Sequence, residues 1–238
     1  MTAGRTIRHF RALACDYDGT LATTGRVPAP VVDALNEFRR SGGELILVTG
    51  RTQADLHSVF PSFGTFSRLV LENGAVVFHP ETGEVDELAL PPPEEFVRRL
   101  RERGVAPLDA GRVIVASRKP HGEAIRDAIR ELGLDLHLVF NRESIMVLPS
   151  TVTKATGLDA ALKQLNLSWG EVVGVGDAEN DQDFLKRCGR SVAVANALPG
   201  LKAAVDVVTR RPEGAGVIEL VRALLSGDPA GFPEEIPS

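Results

Sequence analysis

Short apolar stretches alternate with amphipathic stretches through the first third of the chain. The apolar stretches are four or five residues long, which is typical of buried strands. The amphipathic stretches carry apolar residues at helical spacing and end near Gly or Pro. We predict strands at residues 13–16, 44–48, 68–72 and 75–79, and helices at residues 28–40 and 52–60. Strands that alternate with helices indicate a parallel sheet with helices packed on its faces.

The pattern changes near residue 81 and changes back near residue 150. In this interval we predict helices at residues 91–103 and 121–132, and strands at residues 112–117, 136–140 and 144–148. Only residues 141–143 join the last two strands, which predicts an antiparallel hairpin. Beyond it we predict strands at residues 171–175, 191–195 and 205–209, and helices at residues 154–165, 179–186 and 216–225.

This order of elements predicts an α/β fold in two parts. Residues 1–80 and 151–238 are expected to form a Rossmann-like core of three layers around a parallel sheet. Residues 81–150, called the cap below, are expected to form an inserted α+β domain that acts as a lid. Residues 226–238 contain Gly and Pro throughout, and we predict a loose tail there.

Composition and charge exclude several classes of protein. A net charge of −5 over 238 residues, without a concentrated run of Lys and Arg, argues against binding to nucleic acid. The sequence contains no run of about 18 apolar residues, so we expect no membrane span. The first ten residues lack the apolar core of a signal peptide. Two cysteines, Cys15 and Cys188, predict no disulfide framework and favour a cytoplasmic location. Nothing in the pattern indicates an oligomeric state.

The first candidate site is Asp16-Tyr17-Asp18-Gly19-Thr20-Leu21, at the end of the first predicted strand. Two aspartates two positions apart in an extended chain point to the same side. They also lie at a carboxyl end of the sheet, where open α/β folds bind ligands. Converging carboxylates repel one another unless a cation or a proton intervenes, and oxygen ligands suit Mg²⁺. Asp-x-Asp alone is equally compatible with an acidic loop or a helix cap.

Thr49-Gly50-Arg51 follows the second predicted strand and precedes a helix. Backbone N–H groups at a helix N-terminus and the Thr49 hydroxyl can bind an anion. Thr-Gly-Arg by itself is more typical of a simple helix cap. Arg51 either contacts a substrate or caps a carboxylate, and the sequence leaves both alternatives open.

Lys154 begins a predicted helix directly after the cap. The chain has only five lysines among its 27 basic residues, so lysine is not its usual cation. A compact ammonium group at this position can neutralise both a carboxylate and a phosphate. Taken alone, Lys154 is more typical of a solvated surface residue.

The last candidate site is Gly174-Val175-Gly176-Asp177-Ala178-Glu179-Asn180-Asp181. Asp177 ends a predicted strand, and Asn180 and Asp181 follow one helical turn later, where they can face the same site. The two glycines resemble a dinucleotide-binding loop, but Glu179 occupies the place of the third glycine and excludes it. An acidic first turn of a helix is the alternative interpretation.

Together these four segments resemble the motifs of the haloacid dehalogenase-like (HAD) hydrolase superfamily. The Gly-Asp-x-x-Asn-Asp pattern is similar to that of its Cof-type branch, subfamily IIB. Two further stretches fit this branch, Glu-Asn-Gly-Ala at 72–75 and Ala-Asn-Ala at 195–197, although each is also typical of an ordinary turn. The resemblance extends from about residue 13 to about residue 224, and in the cap it concerns position and pattern rather than residues.

The resemblance implies a Mg²⁺-dependent phosphatase that acts on a small-molecule phosphomonoester, with no nucleic-acid or membrane partner. Asp16 would be the nucleophile that forms an aspartyl-phosphate, and Asp18 the general acid and base. The implied catalytic residues are Asp16, Asp18, Thr49 and Lys154. The implied Mg²⁺ site consists of Asp16, the Asp18 backbone carbonyl, Asp177 and Asp181, the last as a ligand or as the partner of one. The implied phosphate-binding residues are Thr20, Thr49, Gly50, Arg51, Lys154 and Asn180.

The cap is expected to close over the site and to select the leaving group. Arg118, Lys119, His121 and Arg142 lie in its predicted loops and either bind a second anionic group of the substrate or remain solvated. The other histidines, including His137, are scattered without the spacing of metal ligands.

Three other functions share part of this pattern. A phosphomutase or phosphotransferase uses the same chemistry but returns the phosphoryl group to a sugar. A signalling receiver module also uses Asp, Thr, Lys and Mg²⁺, but it would be about half this length and lack the cap. A catalytically silent binding protein on this fold usually lacks the nucleophile or a carboxylate that binds the metal. In this sequence the corresponding aspartates, Asp16, Asp18, Asp177 and Asp181, are all present.

Overall fold

The computed structural model of the chain describes residues 10–141 and 143–226. Its strands are β1 (Ala12–Asp16), β2 (Glu44–Val48), β3 (Arg68–Leu71), β4 (Val76–Phe78), β5 (Val85–Glu87), β6 (Asp109–Ala110), β7 (Val115–Arg118), β8 (Leu136–Asn141), β9 (Ser144–Pro149), β10 (Val172–Gly176), β11 (Arg190–Ala193) and β12 (Val207–Val208). Its α-helices are α1 (Ala29–Arg40), α2 (Gln53–Val59), α3 (Glu94–Glu102), α4 (Gly122–Glu131), α5 (Lys154–Gln164), α6 (Gln182–Leu185), α7 (Pro199–Lys202) and α8 (Glu213–Ser226). The predicted tail and Arg142 lie outside the described residues, apart from Ser226, which ends α8.

A large sheet forms the centre of the molecule, with the strand order β12-β11-β10-β1-β2-β3-β4-β5. The strands from β12 to β3 are parallel to one another, whereas β4 is antiparallel to both of its neighbours, β3 and β5. Every residue of β1 and β10 is buried, because helices cover both faces of the sheet. Helix α1 packs with one apolar face inward, because its buried residues recur at spacings of three and four: Val31, Ala34, Leu35 and Phe38. The predicted α/β fold is confirmed.

A second, antiparallel sheet lies in the cap, with the order β6-β7-β9-β8. The hairpin predicted at residues 141–143 joins β8 to β9. Alternate residues of β9 face opposite sides of this sheet. Ile145 and Val147 join Phe96 and Ile125 in an apolar cluster with α3 and α4, whereas Met146 belongs to the core of the large sheet. One face of the cap sheet therefore packs on the main core.

Several predicted boundaries differ from the structure. Strand β7 begins at Val115 rather than at residue 112, because the backbone N–H groups of residues 112–114 donate to the Glu72 carboxylate. The helix predicted at 179–186 is a 3₁₀ turn, Glu179–Asp181, followed by the short helix α6. Strand β5 was not predicted, because acidic residues flank Val85 and leave no apolar run.

The large sheet extends past the predicted boundary at residue 80, since β5 pairs with β4. We propose that the cap begins after Glu87 and that its other boundary lies near residue 150, as predicted.

Within residues 10–141 and 143–226, no helix is both long and apolar enough to cross a membrane. The cytoplasmic location remains a prediction.

Candidate active site

The four candidate segments come together at the carboxyl edge of the large sheet. Strand β1 lies between β2 and β10, and Asp16 is its last residue. Thr49 directly follows β2, and Asp177 directly follows β10. Parallel strands present their carboxyl ends at one edge, so these side chains converge there. Lys154 is the first residue of α5, shortly after the cap in sequence, and its side chain contacts Asp16 at this edge.

Three carboxylates form the centre of this site. Asp16, Asp177 and Asp181 are all buried, and each offers one oxygen atom within 4.8 Å of those of the other two. Asp181 also stabilises the loop after β10, because its Oδ2 accepts hydrogen bonds of 3.0 Å from the backbone N–H groups of Asp177 and Ala178. Gly176 makes room for this contact, since a Cβ there would lie 2.6 Å from Asp181 Oδ2.

The buried ammonium of Lys154 neutralises part of this negative charge. Lys154 Nζ donates to Asp16 Oδ1 at 2.5 Å and to Asp181 Oδ1 at 2.6 Å. Burial by itself would lower the pKa of Lys154, but the two carboxylates outweigh it and raise that pKa above its usual value. A cation at a helix N-terminus is unfavourable for the helix dipole. Lys154 is therefore placed here for its carboxylate partners, and not for helix stability.

The environment of Asp16 favours either a proton or a bound cation at its carboxylate. Burial raises the pKa of Asp16 well above its ordinary value, and the charges of Asp181 and Asp177 raise it further, whereas Lys154 lowers it. Three converging carboxylates and one ammonium group leave an excess of negative charge. A divalent cation that prefers oxygen ligands fits this donor set.

Thr20 is completely buried beside the carboxylates. Its Oγ1 donates to Asp177 Oδ1 at 3.2 Å, so it orients a predicted metal ligand. Asn196 stabilises the loop after β1 that contains Thr20, because its Nδ2 donates to the carbonyl of Gly19 at 2.8 Å. Asn196 belongs to the Ala-Asn-Ala stretch, for which the sequence allowed an ordinary turn as well as a site element.

Arg51 is engaged by two carboxylates. Its Nε and Nη2 donate to the two oxygens of Asp18, both at 2.8 Å, and its Nη1 donates to Asp55 Oδ2 at 2.7 Å. The guanidinium also lies 5.2 Å from the centre of the Tyr17 ring. Of the two alternatives left open by the sequence, the structure has Arg51 capping carboxylates.

Thr49 and Gly50 directly follow β2, whose last residue, Val48, is paired with Asp16 of β1. Thr49 is buried, and its Oγ1 accepts a hydrogen bond of 3.2 Å from the backbone N–H of Arg51. A Cβ at Gly50 would lie 3.1 Å from the sulfur of Met146 in the cap and 3.2 Å from the side-chain amide of Asn73. Glycine at position 50 thus lets the cap approach the loop closely.

Asn180 is held by a residue that the sequence did not assign to the site. Its Nδ2 donates to Asn73 Oδ1 at 3.3 Å, and Asn73 Nδ2 in turn contacts Met146 Sδ at 2.8 Å. The available signal was the Glu-Asn-Gly-Ala stretch after a buried strand, which is equally typical of a turn. The contact with Asn180 depends on the tertiary fold and could not be read from spacing.

The described cap candidates lie together at one end of the cap sheet. Arg118 ends β7, and Lys119 and His121 belong to the 3₁₀ turn that follows. Lys119 pairs loosely with Glu143 at 3.7 Å, and His121 Nε2 lies 2.8 Å from the carbonyl oxygen of Ala106. Their contact with a substrate stays a prediction, and Arg142 lies outside the described residues.

His137, dismissed as scattered, lies on β8 in the cap sheet. Its Nδ1 is buried and has no hydrogen-bond partner within the part of the chain that the structure describes. Its cross-strand neighbour is Leu148, which belongs to the core of the large sheet. This places His137 on the side of the cap sheet that faces the core.

The chain is similar to known proteins over most of its length. A family model of haloacid dehalogenase-like hydrolases matches residues 13–101 and 109–221. Phosphoglycolate phosphatase 2 of Saccharolobus solfataricus is 30% identical over 226 residues, which cover 91% of this chain and 93% of that protein. Phosphoglycolate phosphatase of Sulfolobus acidocaldarius is 27% identical over 225 residues, which cover 92% and 98%.

The fold has a counterpart among solved structures. A HAD subclass IIB sugar phosphatase superposes with a TM-score of 0.72 and 20% identity, covering 91% of this chain and 98% of that one. At that identity the likeness concerns the fold alone, whereas the family model spans most of the chain and includes all four candidate segments. The chain belongs to the haloacid dehalogenase-like hydrolase family.

Proposed function

We propose that this protein is a phosphatase that hydrolyses small phosphorylated metabolites, either sugar phosphates or phosphoglycolate-type monoesters, with Asp16 as the nucleophile. The observation that carries the proposal is the buried meeting of Asp16, Asp177 and Asp181 with Lys154 at the carboxyl edge of the sheet. The phosphoglycolate phosphatases among its relatives support the substrate class.

Mg²⁺ is the cation that we propose for the site. Asp16, Asp177 and the backbone carbonyl of Asp18 would hold it. Asp181 would support Asp177, because both Asp181 oxygens already accept hydrogen bonds from Lys154 and from the backbone. The bound ion supplies positive charge that offsets the repulsion between the nucleophile and the phosphoryl oxygens.

The reaction proceeds in two displacements. A carboxylate oxygen of Asp16 forms a bond to phosphorus while the ester oxygen leaves and takes a proton from Asp18. Asp18, now ionised, then accepts a proton from a water molecule as that water bonds to phosphorus and releases Asp16. Inorganic phosphate and the alcohol are the products. Lys154 holds one oxygen of Asp16, which leaves the other oxygen as the attacking atom.

Arg51 controls the position of Asp18 in this scheme. Its two hydrogen bonds to the Asp18 carboxylate suit the ionised form, which is the form needed for the second displacement. Proton donation in the first displacement requires one of these bonds to loosen. We therefore assign Arg51 to Asp18 instead of to phosphate.

Phosphate binding is assigned to Thr49, Gly50, Lys154 and Asn180. Thr20, which the resemblance placed with them, orients Asp177 in our proposal, because it is fully buried and its hydroxyl donates to that carboxylate. The cap contacts the turn between β3 and β4 through Met146 and Asn73. We propose that side chains of the cap select the leaving group.

Substitution Asp16→Asn tests the nucleophile. We expect the turnover number to fall by at least about a thousandfold, because an amide oxygen cannot form the covalent intermediate. Release of inorganic phosphate from a panel of phosphorylated metabolites, with Mg²⁺ present, measures it. Asp33→Asn, an exposed position on α1, is the matched control and should leave turnover unchanged. An Asp16→Asn protein that keeps more than about a tenth of the activity rejects Asp16 as the nucleophile.

The same panel tests the substrate class and the acceptor. With water as the only acceptor, a phosphatase releases inorganic phosphate, whereas a phosphomutase or phosphotransferase releases little until a sugar is added. Phosphoglycolate and the sugar phosphates should exceed phosphopeptides and nucleotides in kcat/KM. Release that needs a sugar acceptor would favour the phosphotransferase.

A further inference from the structure

Two consecutive residues between β3 and β4, Glu72 and Asn73, adopt left-handed backbone conformations. Their φ angles are +52° and +54°, and each residue is only 2% exposed. Asparagine tolerates this conformation, whereas glutamate rarely adopts it and has a higher energy there. Such residues persist where the surrounding structure holds them in place, and they concentrate at functional sites.

The Glu72 side chain fastens a segment of the cap. Its Oε1 accepts a hydrogen bond of 2.9 Å from the backbone N–H of Arg112. Its Oε2 accepts bonds of 2.9 Å and 3.0 Å from the backbone N–H groups of Val113 and Ile114. Three consecutive N–H groups that point at one buried carboxylate form an anion-binding nest. Gly111 completes it, because a Cβ there would lie 2.5 Å from the carboxylate.

The Asn73 side chain faces the proposed phosphate site. It accepts the hydrogen bond from Asn180 and contacts Met146 of the cap. The backbone of the turn is tied to the Thr-Gly-Arg loop, since Glu72 N–H donates to the Arg51 carbonyl and Asn73 N–H to the Thr49 carbonyl, both at 3.0 Å. Glu72 and Asn73 thus contact the cap at residues 112–114 and at Met146. They also contact the Thr-Gly-Arg loop and the loop that carries Asn180.

We propose that the Glu72–Asn73 turn is a joint that fixes the cap relative to the phosphate-binding loops, and that Asn73 is a positioning residue for Asn180. The role of Asn180 rests on the proposed function, whereas the joint between cap and core does not.

Hydrogen exchange of the wild type and two variants tests the joint itself. Glu72→Gln replaces one acceptor by an N–H donor, and Gly111→Ala pushes the cap segment away from the carboxylate. We expect the amides of residues 112–114 to exchange at least tenfold faster in both variants. Glu219→Gln is the matched control, because Glu219 accepts from the backbone N–H groups of Arg210 and Arg211, away from the cap. It should accelerate exchange at residues 210–211 only.

A general loss of stability is distinguished by the pattern of exchange. Amides of β1 and β10 report global opening, so they should keep their wild-type protection in Glu72→Gln and Gly111→Ala. Unchanged exchange at residues 112–114 in both variants overturns the joint. Uniformly faster exchange along the whole chain in both variants overturns it as well, because the carboxylate would then be only one of many contributors to the fold.

Substitution Asn73→Gly tests the positioning role. Glycine tolerates the left-handed backbone and removes the side chain with its amide. We expect kcat/KM to fall about tenfold and the inhibition constant of inorganic phosphate to rise at least threefold. Asn166→Gly is the matched control, since Asn166 has a φ of +52° in a loop outside the site. It should change both values less than twofold.

A double variant shows whether Asn73 acts through Asn180. In an Asn180→Ala background, Asn73→Gly should cause no further loss of kcat/KM. Full additivity, or an Asn73→Gly protein with wild-type kinetics, overturns the positioning role. If the wild type hydrolyses no phosphoester at all, the proposed function fails, while the exchange experiment still decides the joint.

Discussion

At the scale of single residues, the site depends on charges that balance one another out of contact with water. Lys154 faces Asp16 and Asp181, and none of the three has solvent to replace a lost partner. Removing one member of a buried ionic group leaves an uncompensated charge, which costs more than the intact group contributes. The stability of the metal-free protein should therefore depend on Lys154.

The substitution Lys154→Met should lower the free energy of unfolding in EDTA by about 3–5 kcal/mol, because two buried carboxylates lose their counter-charge. Urea unfolding followed by circular dichroism measures it. Lys163→Met, at an exposed position of the same helix, should change this free energy by less than about 0.5 kcal/mol. Equal effects of the two substitutions would contradict the charge balance described here.

Glu171 gives the fold a component of stability that depends on pH. The backbone N–H of Ser168, the Arg11 guanidinium and the Ser168 hydroxyl together lower the pKa of Glu171 from 4.5 to about 2. A carboxylate whose folded pKa is depressed stabilises the fold above its unfolded pKa, and the contribution disappears as the pH falls through the folded pKa. The relevant window thus lies between about pH 4.5 and pH 2.

Substitution Glu171→Gln should therefore lower the urea midpoint at pH 7, and the difference from the wild type should shrink as the pH falls from 4.5 to 2. Unfolding curves at intervals across that range measure the trend. Glu37→Gln, at an exposed position of α1, is the control for the loss of a surface carboxylate. A Glu171→Gln difference that stays constant down to pH 2 would contradict the assigned hydrogen bonds.

At the scale of elements, the pattern of apolar residues predicts most helices and strands to within three residues. Helix α1 buries one face and follows a regular spacing, whereas β2 is buried on both faces and is a continuous apolar run. The pattern fails where side chains replace the backbone as hydrogen-bond partners. Glu72 takes the N–H groups that would have started β7 at residue 112, and Asp181 takes those before α6.

Helix α5 shows how closely one element must approach another to carry a site residue. Its Gly157 packs on the turn after β3, and a Cβ at this position would lie 2.4 Å from Gly74 Cα and 2.6 Å from Val70 Cγ1. Val70 belongs to β3, and Gly74 ends the turn that follows this strand. A side chain at residue 157 would therefore push on the helix that begins with Lys154, whose ammonium group contacts Asp16.

We expect Gly157→Ala to lower the free energy of unfolding by about 1–3 kcal/mol, since overpacking outweighs the gain in helix propensity. Gly200→Ala is the control, because Gly200 also lies in a helix but has open space around its Cβ position. That substitution should leave stability unchanged or raise it. Denaturation by urea compares the two, and a stabilising Gly157→Ala would contradict the close packing of α5.

At the scale of the whole molecule, the order of strands determines which loops meet. Strands β1 and β10 are neighbours although 155 residues separate Asp16 from Val172, and the cap lies within that interval. Met146 of the cap contacts Asn73 and lies close to Gly50, so the cap sheet meets the core beside these loops. The same topology leaves three carboxylates close together, so the folded state should bind a divalent cation more tightly than the unfolded chain.

Thermal unfolding measures this coupling. At a Mg²⁺ concentration 100 times the dissociation constant, binding adds about 2.7 kcal/mol to the stability of the wild type, which corresponds to roughly 5–10 °C in Tm. Asp177→Asn should lose most of the shift, because a proposed ligand is gone. Asp33→Asn should keep it. An equal shift in all three proteins would show that Mg²⁺ acts elsewhere.

The sequence by itself determined the fold class, the order of most elements and four polar segments at strand ends, because these follow from local spacing and from the residue types that bind phosphate and cations. Only the tertiary structure decided that Arg51 caps Asp18, that Thr20 orients Asp177, and that Glu72 and Asn73 connect the cap to the site. The physical reason is that these partners are distant in sequence. Their contacts arise from strand order and packing, which local spacing does not record.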